Sequence, residues 1–90
     1  MIIELPKIDT FQSTDDSKEQ ALKVLEEASE LVEAIKLPDD EAANAHALFE
    51  FADVLQALGN LAALRGWSKW QIAMAYLDVK RGNIERGRYE

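Results

Sequence analysis

Cysteine is absent from the 90 residues, which excludes a disulfide framework and any metal site built on thiolates. The lack of cysteine also fits a cytoplasmic protein. Histidine occurs once, at position 46. Basic residues are outnumbered, 10 against 17 acidic ones, for a formal net charge of −7. That balance argues against a general nucleic-acid binder, because a phosphate backbone is neutralised by a basic surface. No apolar run approaches the roughly 20 residues that a membrane span needs. The opening Met1-Ile2-Ile3-Glu4-Leu5-Pro6 is too short for a secretory signal and carries no basic start.

What is present is 48% hydrophobic and 30% charged, the balance of a soluble globular chain. Ninety residues make one small domain whose own core is only marginally sufficient. Oligomerisation is therefore expected. The positive charge is local: Lys80, Arg81, Arg86 and Arg88 gather near the C-terminus.

Residues 1–16 read as an extended N-terminal arm, with Pro6 and the cluster Ser13-Thr14-Asp15-Asp16 leading to a helix start. Ser17 and Gln20 have capping-box spacing, and Asp15 or Asp16 serves equally well as N-cap. From there Ala21, Val24, Leu25, Ala28, Leu31, Val32 and Ile35 fall within roughly 120° of a helical wheel, which predicts an amphipathic helix. Leu37-Pro38-Asp39-Asp40 stops it and caps a second, antiparallel helix. That helix runs from about Glu41 to Leu64, with Ala47, Phe51, Val54, Leu55, Leu58, Leu61 and Ala62 as its apolar face. Gly66 is a plausible left-handed terminator, and Ser68 with Gln71 forms a capping box for a third helix. Gly82 costs that helix only about 1 kcal/mol, and residues 84–90 read as a C-terminal tail able to fold onto a ligand or a neighbouring subunit. The fold class is all-α, with three main helices forming a bundle protomer that oligomerisation completes.

Two acidic pairs sit inside these apolar patterns: Glu27 with Glu30, and Glu50 with Asp53. Residues three apart share a helix face, so each pair can converge on one point, and two such faces packed together make a pocket of four carboxylates. On the wheel Glu27 and Glu50 lie at the edge of their stripes, with Glu30 and Asp53 about 60° further out. Four carboxylates without cysteine are hard oxygen donors, which favour Mg²⁺ or Mn²⁺ over zinc or copper. Mg²⁺ keeps water and substrate phosphates among its ligands, so such a site calls for a polyphosphate. Lys80, Asn83 and Arg86 are the candidates to hold phosphate oxygens. A di-iron bundle wants Glu-x-x-His twice, and no histidine here follows a glutamate at that spacing.

The segments Glu26-Glu27-Ala28-Ser29-Glu30-Leu31 and Glu50-Phe51-Ala52-Asp53-Val54-Leu55 resemble the signature of the MazG-like all-α nucleoside triphosphate pyrophosphohydrolases. The resemblance covers residues 20–66 well and the Asn83-x-x-Arg86 region loosely. It implies a single MazG-like helical domain over residues 1–90 and hydrolysis of a nucleoside or deoxynucleoside triphosphate to monophosphate and pyrophosphate. It further implies Mg²⁺ held by Glu27, Glu30, Glu50 and Asp53, with one of these carboxylates acting on the attacking water. Lys80 and Asn83 are similar to the family's phosphate-contacting positions, with Arg86 a weaker candidate. Many relatives carry a full helix before the first acidic motif, where part of the base pocket lies. Here only the short arm precedes it, so the residues that choose the base do not carry over.

His46 lines up with Glu50 and Asp53 on the second helix, at spacings that allow a phosphate or outer-sphere contact, although a partly exposed helix histidine is the commoner role. Trp67, Trp70 and Tyr76 read as core or interface packing before base stacking, and Phe49 as a subunit contact. The partners expected are a nucleotide and further copies of the chain, as homodimer or homotetramer, with no nucleic acid and no membrane. Two alternatives stand beside this reading: a phosphoribosyl-ATP pyrophosphohydrolase of the same superfamily, and a non-catalytic helical interaction module with solvated acidic faces.

Overall fold

A computed structural model of the chain describes residues 1–12 and 15–90. Three helices follow one another: α1 (Ser17–Ile35), α2 (Glu41–Arg65) and α3 (Lys69–Glu85). The described residues contain no strand, and the fold is all-α as its periodicity predicts. The Ser13-Thr14 part of the turn-like cluster lies outside the described residues.

Each helix starts at a residue that can accept from an orphan N–H of the first turn. Asp16, rather than Ser17, caps α1 by accepting from the Glu19 N–H at 2.8 Å. Gln20 is thereby free to reach across to α2, where its Nε2 donates to the Ala57 carbonyl at 3.1 Å. Asp40 caps α2 in the same way, through the Ala43 N–H at 2.8 Å. At the far end Gly66 adopts φ +68°, a left-handed turn that glycine enters without the Cβ penalty. Ser68 and Gln71 close the expected capping box on α3, with bonds of 3.1 and 2.7 Å. The third helix passes Gly82 and ends at Glu85, so residues 84 and 85 of the expected tail are helical.

α1 and α2 form an antiparallel hairpin. Gln20 at the start of α1 meets Ala57 late in α2, while Ala34 at the end of α1 shares a small cavity with Ala43 and Ala47 near the start of α2. Small side chains set this close approach: the buried apolar residues are Ala34, Ala47 and Ala57. Of the larger members of the predicted stripes, Val24, Leu31, Val54, Leu55 and Leu61 are half-buried, and Leu25, Val32, Ile35, Phe51 and Leu58 stay exposed. One helix neighbour covers only part of a stripe as broad as 120°. Among the described residues α3 packs against neither α1 nor α2, and Trp70, Ile72, Met74, Tyr76, Leu77 and Val79 are all exposed.

Residues 1–12 form no helix or strand and are fastened to α2 by one stretch of that helix. Gln56 Nε2 donates to the Asp9 carbonyl at 2.9 Å, and the Phe11 N–H donates to Asn60 Oδ1 at 3.0 Å. Between them Gly59 leaves room for Ile8, whose Cγ2 would stand 2.6 Å from a Cβ at that position. The first residues of the arm, Met1 to Leu5, lie beside Tyr76, Lys80 and Tyr89 around a cavity of about 720 Å³.

By length and composition alone α2 is apolar enough to cross a membrane, with a mean hydropathy of 1.3 over its best window. No single unbroken run in the sequence suggests this, because the window gathers alanines and leucines around its few charges. Those charges, Glu50 and Asp53, are packed towards α1 rather than dispersed.

Candidate metal centre

The hairpin brings the two acidic pairs together. One carboxylate oxygen from each of Glu27, Glu50 and Asp53 falls within 4.8 Å of the other two. Glu30 lies outside this tight triple, yet its charge acts on both Glu27 and Glu50. Glu50 is buried, at 9% exposure, Glu27 and Asp53 are half-buried, and Glu30 is exposed. The wheel places Glu27 and Glu50 nearest the apolar stripes, and they are the members that the opposite helix shields most.

Shielding leaves two carboxylate oxygens stranded. Oε2 of Glu27 and Oε2 of Glu50 are inaccessible and take no hydrogen bond among the described residues. A buried acceptor without a partner is uncommon in folded proteins. Burial, then the Glu30 charge, pushes the Glu27 carboxyl above the ordinary glutamate range, with Asp53 and Glu50 adding to the shift. Glu50 is raised by the same two leading causes, and only His46 opposes them. His46 Nε2 stands 3.9 Å from Glu50 Oε1.

The cluster separates two cavities. On the His46 side, about 440 Å³ is bordered by Ser29, Glu30, Glu33, His46 and Glu50. On the arm side, about 170 Å³ is bordered by Phe11, Gln20, Glu27, Asp53, Gln56 and Asn60, with Lys23 and Ala57. Lys23 is ion-paired with Asp15, and this partner raises its pKa. Sequence reasoning did not single out Gln20, Gln56, Asn60 or Phe11 as members of a site. A signal existed for two of them, since Gln56 and Asn60 continue the line of Asp53 at three and seven residues further on.

The basic candidates lie elsewhere. Lys80, Asn83 and Arg86 belong to α3 and its end and border neither cavity. Within α3 the tail folds back: Arg86 Nη2 donates to Asn83 Oδ1 at 2.9 Å, and Lys80 Nζ sits 6.0 Å from the centre of the Tyr89 ring. Within the chain the fold does not bring these residues to the carboxylates.

Compared with protein-family models, with characterised proteins and with solved structures, the chain matches none.

Proposed function

We propose that this chain is a Mg²⁺-dependent nucleoside triphosphate pyrophosphohydrolase, acting in the cytoplasm on a nucleoside or deoxynucleoside triphosphate to give the monophosphate and pyrophosphate. The observation that carries this reading is the pair of stranded oxygens, Glu27 Oε2 and Glu50 Oε2, contributed by two helices with Asp53 alongside. A donor set made only of carboxylates fits Mg²⁺, or Mn²⁺, and the missing partners of the two oxygens are what a cation supplies. Glu27, Glu30, Glu50 and Asp53 would hold it. When bound, such an ion polarises phosphoryl oxygens and lowers the pKa of water.

The protein's own residues supply the rest. One of these four carboxylates would orient or deprotonate the attacking water. Lys80, Asn83 and Arg86 would bind phosphate oxygens, and because α3 stands apart in the protomer they reach the carboxylates from another copy. A homodimer or homotetramer thus both completes the bundle and completes the site. The exposed apolar side chains of all three helices support this assembly.

Pyrophosphate release from a panel of ribo- and deoxyribonucleoside triphosphates, with phosphoribosyl-ATP included, tests the reading. Wild type with Mg²⁺ is expected to release pyrophosphate, while Glu27→Gln and Asp53→Asn are expected to lose nearly all of it. Release from phosphoribosyl-ATP alone moves the assignment to that branch of the superfamily. No release from any of them, with no effect of Mg²⁺ on melting temperature, leaves a non-catalytic helical interaction module.

A further inference from the structure

The arm-side cavity is built differently from its acidic neighbour. Its three amides are held in known orientations, because each is committed to a backbone group or to another amide. Gln20 Nε2 donates to the Ala57 carbonyl, and Gln56 Nε2 donates to the Asp9 carbonyl and to Asn60 Oδ1. Asn60 Oδ1 must be the oxygen, since it accepts from the Phe11 N–H. The atoms left over are therefore Gln20 Oε1 and Gln56 Oε1 as acceptors and Asn60 Nδ2 as a donor. None of them forms a hydrogen bond among the described residues.

Phe11 adds an aromatic surface. Its backbone is anchored through Asn60, yet the residue is 66% exposed beside the cavity. A ring carried on an anchored backbone, with so much of its surface uncovered, offers a face for stacking. At about 170 Å³ the space is smaller than the roughly 300–1,000 Å³ that takes a whole drug-sized ligand. It accommodates one planar ring. An aliphatic group would leave the amides unpaired, and an anionic group would face Glu27 and Asp53, with Lys23 already engaged by Asp15.

We propose that this cavity is a nucleobase pocket, with the base stacked on Phe11 and its edge read by Gln20, Gln56 and Asn60. The pocket shares Glu27 and Asp53 with the candidate metal centre. A base seated there directs its phosphates towards the carboxylates, and this part rests on the proposed hydrolase reading. The arm thereby selects the substrate, and the register set by Gln56, Gly59 and Asn60 places Phe11.

The test is a titration of the full chain, in Mg²⁺, with uridine, cytidine, adenosine and guanosine 5′-monophosphates and with ribose 5-phosphate, which has no base. The NMR signals of the Asn60 side-chain amide and the Phe11 ring are followed. A nucleotide whose base fits the pocket is expected to move both signals and to bind more tightly than ribose 5-phosphate, which leaves them unmoved. Phe11→Ala is expected to weaken binding of that nucleotide on the order of tenfold, the effect of losing one base–aromatic stack. Asn60→Asp keeps the acceptor for the Phe11 N–H and removes the donor, so it is expected to change the ratio of uridine to cytidine affinity with the arm still in place. Equal affinity with and without a base, no binding at all, or unchanged affinity in Phe11→Ala would each overturn the pocket. Hydrolysis of the corresponding triphosphates is followed alongside. Base-dependent binding without hydrolysis overturns the proposed reaction and keeps the pocket, whereas hydrolysis indifferent to the base does the reverse.

Discussion

Glu50 and Glu27 make the electrostatics of the site testable without a substrate. Both carboxyls are raised above the ordinary value of 4.5, first by burial and then by the Glu30 charge. A carboxyl with a raised folded-state pKa binds its proton more tightly when the chain is folded. The stability it contributes is fully present below the unfolded pKa and is lost as pH rises through the folded pKa. The metal-free protein is therefore expected to melt at a lower temperature at pH 7 than its other groups alone would dictate. Glu50→Gln, neutral at every pH, removes that penalty, so metal-free Glu50→Gln is expected to melt above wild type at pH 7 and to converge with it near pH 4. Thermal melts across this range decide the matter, and a lower melting temperature for Glu50→Gln at pH 7 would show that the carboxylates do not repel.

Adding the cation should invert this order. At a hundredfold excess over its dissociation constant, a ligand specific for the folded state stabilises by about 2.7 kcal/mol. For a domain of this size each 1 kcal/mol moves the melting temperature by about 4–8 °C. Mg²⁺ is thus expected to raise the wild-type melting temperature by on the order of 10 °C and to leave Glu27→Gln nearly unmoved. Calorimetry with and without chelator reads both values, and equal shifts in the two proteins would exclude Glu27 as a ligand.

At the scale of elements, α3 is the helix that owes least to packing. It is held by its caps, and the Ser68 capping box is the feature whose removal can be read directly. Replacing an N-cap serine by alanine costs about 0.5–2 kcal/mol, and in the monomer this falls on α3 alone because α3 packs against neither other helix among the described residues. Ser68→Ala is expected to lower helical circular dichroism and speed amide exchange in residues 69–75, leaving α1 and α2 protected. Faster exchange spread over α1 and α2 as well, or loss of the whole fold at once, would mean that α3 is packed on a hairpin, its own or another copy's.

The elements differ in how far the sequence alone disclosed them. Periodicity and the residues Asp40, Gly66 and Ser68 were enough for the helices and their ends, because those signals are local. The convergence of Glu27, Glu50 and Asp53 was also legible, since a short connection after Pro38 makes the helices antiparallel neighbours. The arm was not. Its bonds join residues 47 and 49 positions apart, and no local pattern announces such pairs. Nor could a helical wheel say that alanines would be the most deeply buried apolar residues of the α1–α2 pair. Apolar periodicity identifies a face that must be covered without identifying what covers it. Gly59→Ala probes this hidden long-range link. Alanine favours an isolated helix by about 1 kcal/mol, yet here its Cβ would collide with Ile8, so the arm is expected to be released and cut faster by protease while α2 stays helical.

For the whole molecule the decisive quantity is the number of chains in the active unit. A protomer of 10.1 kDa with Trp70, Ile72, Tyr76, Leu77 and Val79 uncovered on one helix exposes more apolar surface than a monomer ordinarily tolerates. Its acidic site and its basic residues are also apart. The proposed assembly would resolve both: α3 of one copy would cover the hairpin of another, bringing Lys80, Asn83 and Arg86 to carboxylates that are not its own. Light scattering is then expected to return two or four times the protomer mass. Trp70→Glu, placing a charge in the interface, is expected to shift the mass towards one chain with loss of hydrolysis. The sharper test mixes two inactive proteins. Glu27→Gln lacks a metal ligand, and Arg86→Ala is expected to lack a phosphate contact. If each site draws on two copies, subunit exchange creates sites with both defects and others with neither, and activity is expected to return to a sizeable fraction of wild type. If the basic residues serve their own protomer, every site keeps one lesion and the mixture stays as inactive as its parts.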